Sequence, residues 1–257
     1  EKQKEGIYVK DGVRSNGFTY EEHIQAAYLS FSEKARHLQL DGGLRVEATE
    51  IAGDVQQNYV NLFPSLSILH PISTSQSISF ALSSRITRPS YKSLNPFISF
   101  ADPLNLNAGN PSLKPEKALL LELSHVKDFT SLSVSNSLFY REITGLVGRV
   151  RTFLNGDTTL TRYENISKSR AWGFENLSTW SVSKAFKITL SSSVYQTDLQ
   201  GLINGTQVSE NRWSWNSRLN QQVKWKNNWS AQLSGIYQSV QINPLGIISP
   251  YYTVDLG

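Results

Sequence analysis

The chain is 257 residues long, with 39% hydrophobic residues, 18% charged residues and a net charge of +4, which is too apolar for a disordered tail. It carries no Lys/Arg block interleaved with aromatics, so nucleic acid is not an expected partner. No apolar run reaches the ~18 to 20 residues of a membrane-crossing helix, and a membrane reading therefore has to rest on strands.

Taken in chain order, the segments alternate apolar and polar residues, the period-two signature of half-buried β-strands. "HLQLDGGLRVEA" sets Leu38, Leu40, Leu44 and Val46 against Gln39, Asp41, Arg45 and Glu47. "SISFALSSRI" sets Ile78, Phe80, Leu82 and Ile86 against Ser77, Ser79, Ser83 and Arg85. "AFKITLSSSVY" sets Phe186, Ile188, Leu190 and Val194 against Lys187, Thr189, Ser191 and Ser193. In "RWSWNSRLNQQVKW" Trp213, Trp215, Leu219, Val223 and Trp225 share one face, and Arg212, Asn216, Arg218, Asn220 and Lys224 the other. "NWSAQLSGIYQS" repeats the pattern with Trp229, Ala231, Leu233 and Tyr237.

Connections alternate in length. Short ones fall near residues 33–36, 71–74, 127–130, 183–185 and 226–228, and long ones near 51–56, 89–114, "RTFLNGDTT", 198–210 and 242–249. Strands joined this way form an up-and-down antiparallel meander elaborated at one end, as in outer-membrane barrels. Trp213 to Trp225 is about twelve residues, roughly 30 Å along a barrel axis at ~3.3 Å per residue and ~40° tilt, enough to cross an apolar band of ~25 Å. Trp180, Trp225 and Trp229 beside short turns, and Trp213 and Tyr237 toward long loops, are expected to form two interfacial belts, because indole and phenol settle at the headgroup level. Lipid would then face the Trp/Leu/Val side. A water-filled lumen would face the polar side, with Arg45, Glu47, Arg85, Glu122, Arg212 and Arg218 lining it and the carboxylates pairing with Arg45 or Arg85. A soluble β-sandwich, whose polar face is ordinary surface, is the competing reading.

No chemistry of catalysis is expected. His23, His37, His70 and His125 show neither HExxH nor close ligand spacing, and the last three lie beside expected short turns. Zero Cys excludes thiolate metal sites. No catalytic residue, cofactor or metal ligand is assigned. Asn-x-Ser/Thr sequons at Asn165, Asn176, Asn204 and Asn228 read as coincidence in an Asn- and Ser-rich chain.

Between Arg85 and His125 lies "RITRPSYKSLNPFISFADPLNLNAGNPSLKPEKALLLELSH", in which Pro89 stops a strand and Asn95-Pro96 and Gly109-Asn110-Pro111 turn the chain. The "RITRPSY", "LNPF" and "GNPSLKPE" elements resemble the barrel of TonB-dependent outer-membrane receptors, and "AAYLSF", "GGLRVEAT", "LFPSLSI", "FYREITGLV" and "YENISKSRAWGFE" keep the same order. The resemblance implies an outer-membrane receptor of about 22 strands around a plug. It further implies uptake of a small nutrient (metal chelate, glycan or peptide) captured by extracellular loops, and energy delivered by the TonB complex through the plug. Tyr91, Phe97 and Asn110 are the expected capture residues of the longest loop. The expectation for residues 1–257 is one incomplete barrel segment of ten to eleven strands, without plug or closing strands. A non-transporting structural or assembly barrel stays open as an alternative.

Overall fold

The computed structural model describes residues 2–4, 7–9, 16–154, 156–203, 206–225, 229–243 and 246–257. Its principal sheet is built from β3 (Tyr20–Ala35), β4 (Leu38–Gly53), β5 (Gln57–Ser73), β6 (Gln76–Thr87), β8 (Glu116–Asp128), β9 (Leu132–Phe153), β10 (Thr159–Ser181), β11 (Phe186–Ile203), β12 (Thr206–Lys224), β13 (Ser230–Gln238) and β16 (Tyr251–Leu256). These pair antiparallel in chain order, and β7 (Asn105–Ala108) completes the 12-stranded sheet by a parallel pairing with β10. Small hairpins form from β1 (Lys2–Lys4) with β2 (Ile7–Val9), and from β14 (Gln241–Asn243) with β15 (Gly246–Ile248). A four-residue helix, α1 (Tyr91–Leu94), stands after β6.

The register assigns every strand's two faces. Trp213 lies opposite Gln196, which lies opposite Trp172, itself opposite Tyr140. Leu219 lies between Leu190 and Gly235, and Leu82 between Leu66 and Leu121. This face is uncovered: Trp213, Trp215 and Trp229 are 54%, 47% and 74% exposed. A sandwich would bury these rings against a second sheet, whereas the other two sheets are two-stranded hairpins, so the sandwich reading fails. Such a surface is stable where its surroundings are apolar, and closure of the sheet is what spares backbone groups from hydrocarbon.

The aromatics fall into two levels. Trp180, Trp225 and Trp229 lie at one end of the strands, and Trp225 N–H donates to Trp229 O at 2.9 Å. At the other level Trp172 meets Trp213 edge to face, with centroids 5.2 Å apart, and Trp215 stacks on Tyr237 at 4.3 Å. Trp215 and Trp225 are about ten residues apart, roughly 25 Å at ~3.3 Å per residue and ~40° tilt. That is the height of an outer-membrane apolar band.

Four of the five short connections stand within a residue or two of where the sequence reading puts them; the fifth, at 226–228, lies outside the described residues. Three of the five long connections do not. β4 ends at Gly53 and β5 begins at Gln57, β9 ends at Phe153 and β10 begins at Thr159, and β11 pairs with β12 up to Ile203↔Thr206. The strands run on past the aromatic level as paired hairpins, because continued pairing satisfies the backbone groups that a loose loop would leave to water. Asn- and Gly-rich composition marks only their tips; residues 155 and 204–205 are outside the described set. Genuinely long excursions are 88–115 and 239–250.

Candidate functional site

Register places Arg45, Glu47, Arg85, Glu122, Arg212 and Arg218 all on the face opposite the tryptophans. The strands bring some of them together and keep others apart. Arg45 Nε donates to Glu47 at 2.6 Å, because residues two apart on a strand share a face. Glu122 has Ala81 opposite it, not Arg85, which faces Ala118 four positions away. Its partner is therefore the Ser124 hydroxyl at 2.7 Å, and Ser124 in turn bonds Ser137 across β8 and β9 at 2.7 Å. The expected Glu122–Arg85 pair is corrected by this register.

The residue that organises this face is Arg88, which the sequence reading passed over. It stands at the end of β6 before Pro89, where the strand must stop for want of an N–H. Its guanidinium pairs with Glu47, reaches Thr49 Oγ1 at 3.2 Å and lies 3.5 Å from Glu22 on β3. Glu22, Glu47 and Thr49 face the same side of β3 and β4. The start of the 88–115 loop is thus tied to β4, about forty residues back, and to β3, further back still. The signal was available in "RITRPSY", where an Arg directly before a strand-ending Pro is free to turn off the ladder.

From that anchor the loop folds back over the sheet. Ser90 caps α1 by accepting from Ser93 N–H at 3.3 Å. Leu94 and Leu113 are fully buried with Ile51 and Val55, and Phe18, Tyr20, Tyr59, Val147 and Tyr163 pack around them. Burial here, with the Glu22 carboxylate close by, pushes the Tyr20 phenol up to about 12. Gly109 N–H donates to Asn95 O and Asn110 N–H to Ser93 O, each at 2.7 Å. A Cβ on Gly109 would lie under 3.0 Å from backbone atoms of Ser93 and Asn95. Gly109→Ala is accordingly expected to destabilise the loop by about 1 to 3 kcal/mol, read as faster cleavage within 88–115 by a nonspecific protease. Unchanged cleavage would mean the approach is looser than described.

Polar side chains lock the second half of the loop. Gln57 Nε2 donates to Pro111 O at 2.8 Å and Leu113 O at 2.9 Å. Asn165 accepts from Lys114 N–H at 2.8 Å and donates to Lys114 O and Gly145 O at 2.9 and 2.7 Å. It sits at the irregularity between β9 and β10, where an amide side chain does the work of a missing ladder partner. Asn165→Ala removes three hydrogen bonds and leaves backbone groups unpaired, an expected cost of about 1 to 3 kcal/mol, measurable as a lowered unfolding midpoint. Asn165→Asp, which cannot donate, should fall close to the alanine variant rather than to wild type.

The three loop residues singled out from sequence have different settings. Tyr91 and Phe97 are exposed, and Lys92 lies 6.0 Å above the Tyr91 ring. Asn110 has its amide engaged inside the scaffold, donating to Tyr163 O at 3.0 Å and accepting from Ser112 N–H at 2.9 Å. Further out, Asp102 accepts from Leu104 and Asn105 N–H and from the Asn105 amide. The Asn105 amide holds its carboxyl below the usual carboxylate range. The second excursion also folds onto the inner face, where Ser214 donates to Val240 O at 2.7 Å and Gln241 bonds Tyr195. Among the described residues no group of three or more His, Asp or Glu side chains is arranged to hold a metal ion.

A polar wall with an apolar outer face and two inward-folded loops is an arrangement with solved counterparts. The FrpB iron transporter from Neisseria meningitidis (F3-3 variant) superposes with a TM-score of 0.65 at 12% identity, over 93% of this chain and 39% of its own. The copper transporter OprC does so with a TM-score of 0.64 at 15% identity, over 92% and 39%. The siderophore receptor PiuA from Acinetobacter baumannii gives 0.64 at 16% identity, over 92% and 36%. At these identities the likeness is one of fold, and the chain spans less than two fifths of each structure. No curated protein matches the sequence. The model of the outer membrane protein β-barrel family matches residues 1–257. The chain is a segment of outer-membrane barrel wall and belongs to the outer membrane protein β-barrel family.

Proposed function

We propose that this chain forms part of the wall of a TonB-dependent transporter that carries a small nutrient across the outer membrane. The observation that supports this best is the 88–115 loop, which is folded over the polar face and fixed there by Arg88, Gln57 and Asn165. Loops held by a rigid scaffold are where binding residues concentrate, and a loop fixed over the polar face is placed to shape the mouth of a receptor. Tyr91 and Phe97 present aromatic surface for capture on that loop. The lipid of the outer membrane contacts the outer face, and the plug and its TonB contact belong to the rest of the protein. Two structural neighbours are an iron and a copper transporter and a third is a siderophore receptor, which makes metal chelates the first class to try, with glycans and peptides next.

The test is uptake by cells that carry the complete gene, using labelled ferric citrate, copper, an oligosaccharide mixture and a peptide mixture as probes. Uptake of one probe that disappears on deleting the gene, and on deleting TonB, supports the proposal. Uptake of that probe that persists without TonB would leave a passive channel, and indifference of every probe to the gene would favour a non-transporting barrel.

A further inference from the structure

The extracellular part of β5 lacks a neighbour on one side. Its ladder with β6 begins only at Ser65↔Ser83, while Ser84 to Thr87 of β6 pair with β8. Pro64, without an N–H to offer, stands at the fork. Between the parted strands lies a cavity of about 720 Å³, whose polar lining includes Asn58, Tyr59, Asn61, Lys114, Lys117 and Thr144 and contains no carboxylate. Lys117 and Thr144 are cross-strand partners on the outer face of β8 and β9, two positions along from Leu119 and Glu142. The opening therefore sits at the headgroup level, beside the extracellular aromatics and above the apolar rows.

Two features of this lining point to a ligand. Asn61, on the inner side of the fork, is only 5% exposed, and neither of its amide atoms has a hydrogen-bond partner. Buried polar atoms are seldom left so, because desolvation without a bond is costly. Lys114 and Lys117 make no ion pair among the described residues. The amides of Asn58 and Asn61, on the two sides of the fork, offer donors and acceptors to hydroxyl groups, and two ammonium groups without a carboxylate suit a phosphate or carboxylate. A cationic ligand would meet two ammonium groups and no carboxylate in this lining.

We propose that the fork between β5 and β6 is a binding pocket for an anionic saccharide, a phosphorylated or carboxylated sugar. The source is either the headgroup of an outer-leaflet glycolipid or a soluble sugar from the medium. The inference rests on the outer-membrane orientation and is independent of transport: loss of uptake with the pocket intact would remove the transport reading alone.

The experiment uses the full-length protein purified in detergent from its own outer membrane. Glucosamine 1-phosphate and galacturonic acid are titrated by calorimetry, with galactose as the neutral control, and bound glycolipid is measured by mass spectrometry. Wild type is compared with the double variant Lys114→Gln/Lys117→Gln and with Asn61→Ala. Loss of charge-assisted bonds in the lysine variant should weaken acidic-sugar binding by about tenfold or more, with galactose weak throughout. Glycolipid retained by wild type and lost from the lysine variant supports the proposal with a lipid source; soluble binding without retained glycolipid supports it with a soluble one. If folded wild type binds neither acidic sugar and retains no glycolipid, the cavity holds only water and the proposal is overturned.

Discussion

Leu219→Lys is expected to lower the stability of the membrane-inserted protein by about 2 to 4 kcal/mol, the cost of a Lys on the lipid face near the bilayer midplane. Leu219 projects from the middle of β12, between the levels of Trp215 and Trp225, with Leu190 and Gly235 as its cross-strand neighbours. Its neighbour in sequence, Asn220, projects to the other face, where it accepts from the Ser234 hydroxyl at 2.8 Å. Lys at 220 trades one exchangeable hydrogen bond for a charge that reaches water, and is expected to cost under about 1 kcal/mol. Denaturant unfolding of the full-length protein from phosphatidylcholine vesicles, followed by tryptophan fluorescence, measures both. Equal losses at 219 and 220 would mean that the outer face is not in lipid.

Arg88→Ala should cost about 3 kcal/mol and free the 88–115 loop from the wall. The side chains of Arg88 and Glu47 are 21% and 11% exposed, so their attraction is little screened by solvent. Removing the guanidinium leaves Glu47 buried with only the half-exposed Arg45, and an uncompensated buried charge is what makes such truncations expensive. Arg88→Ala combined with Glu47→Gln should recover part of the loss, since the more buried of its two carboxylate partners is then uncharged. Faster proteolysis between 88 and 115 in the single variant, and its partial reversal in the double, is the expected pattern. Additive losses would show that the two residues act separately and that another contact holds the loop.

The lateral fork shows how a sequence signal can be read for one purpose and miss another. Pro64 is visible in "LFPSLSI", and as a ladder-breaking residue it predicts a local fault in strand pairing. Which neighbour is lost, and which side chains close around the gap, depends on β6 following β8 instead of β5 above Ser83. Lys114 and Lys117 come to the same opening as Asn58 and Asn61 only through that choice.

The two faces of each strand, the tight turns and the two aromatic levels were determined by sequence alone, because side chains on a strand alternate strictly and a one-residue shift would put Trp213 and Leu219 into the lumen. The strand end at Pro89 and the turn at Gly109 were legible for a similar local reason: these residues act on their own backbone. Tertiary structure alone decided the partners. Cross-strand register made Ala81 the neighbour of Glu122 and left Arg85 elsewhere, and chain return brought Arg88 to Glu22 and Glu47, Gln57 to Pro111, and Asn165 to Lys114. Alternation is a property of adjacent residues, whereas these contacts are set by the relative shift of strands far apart in the chain, which no local pattern encodes.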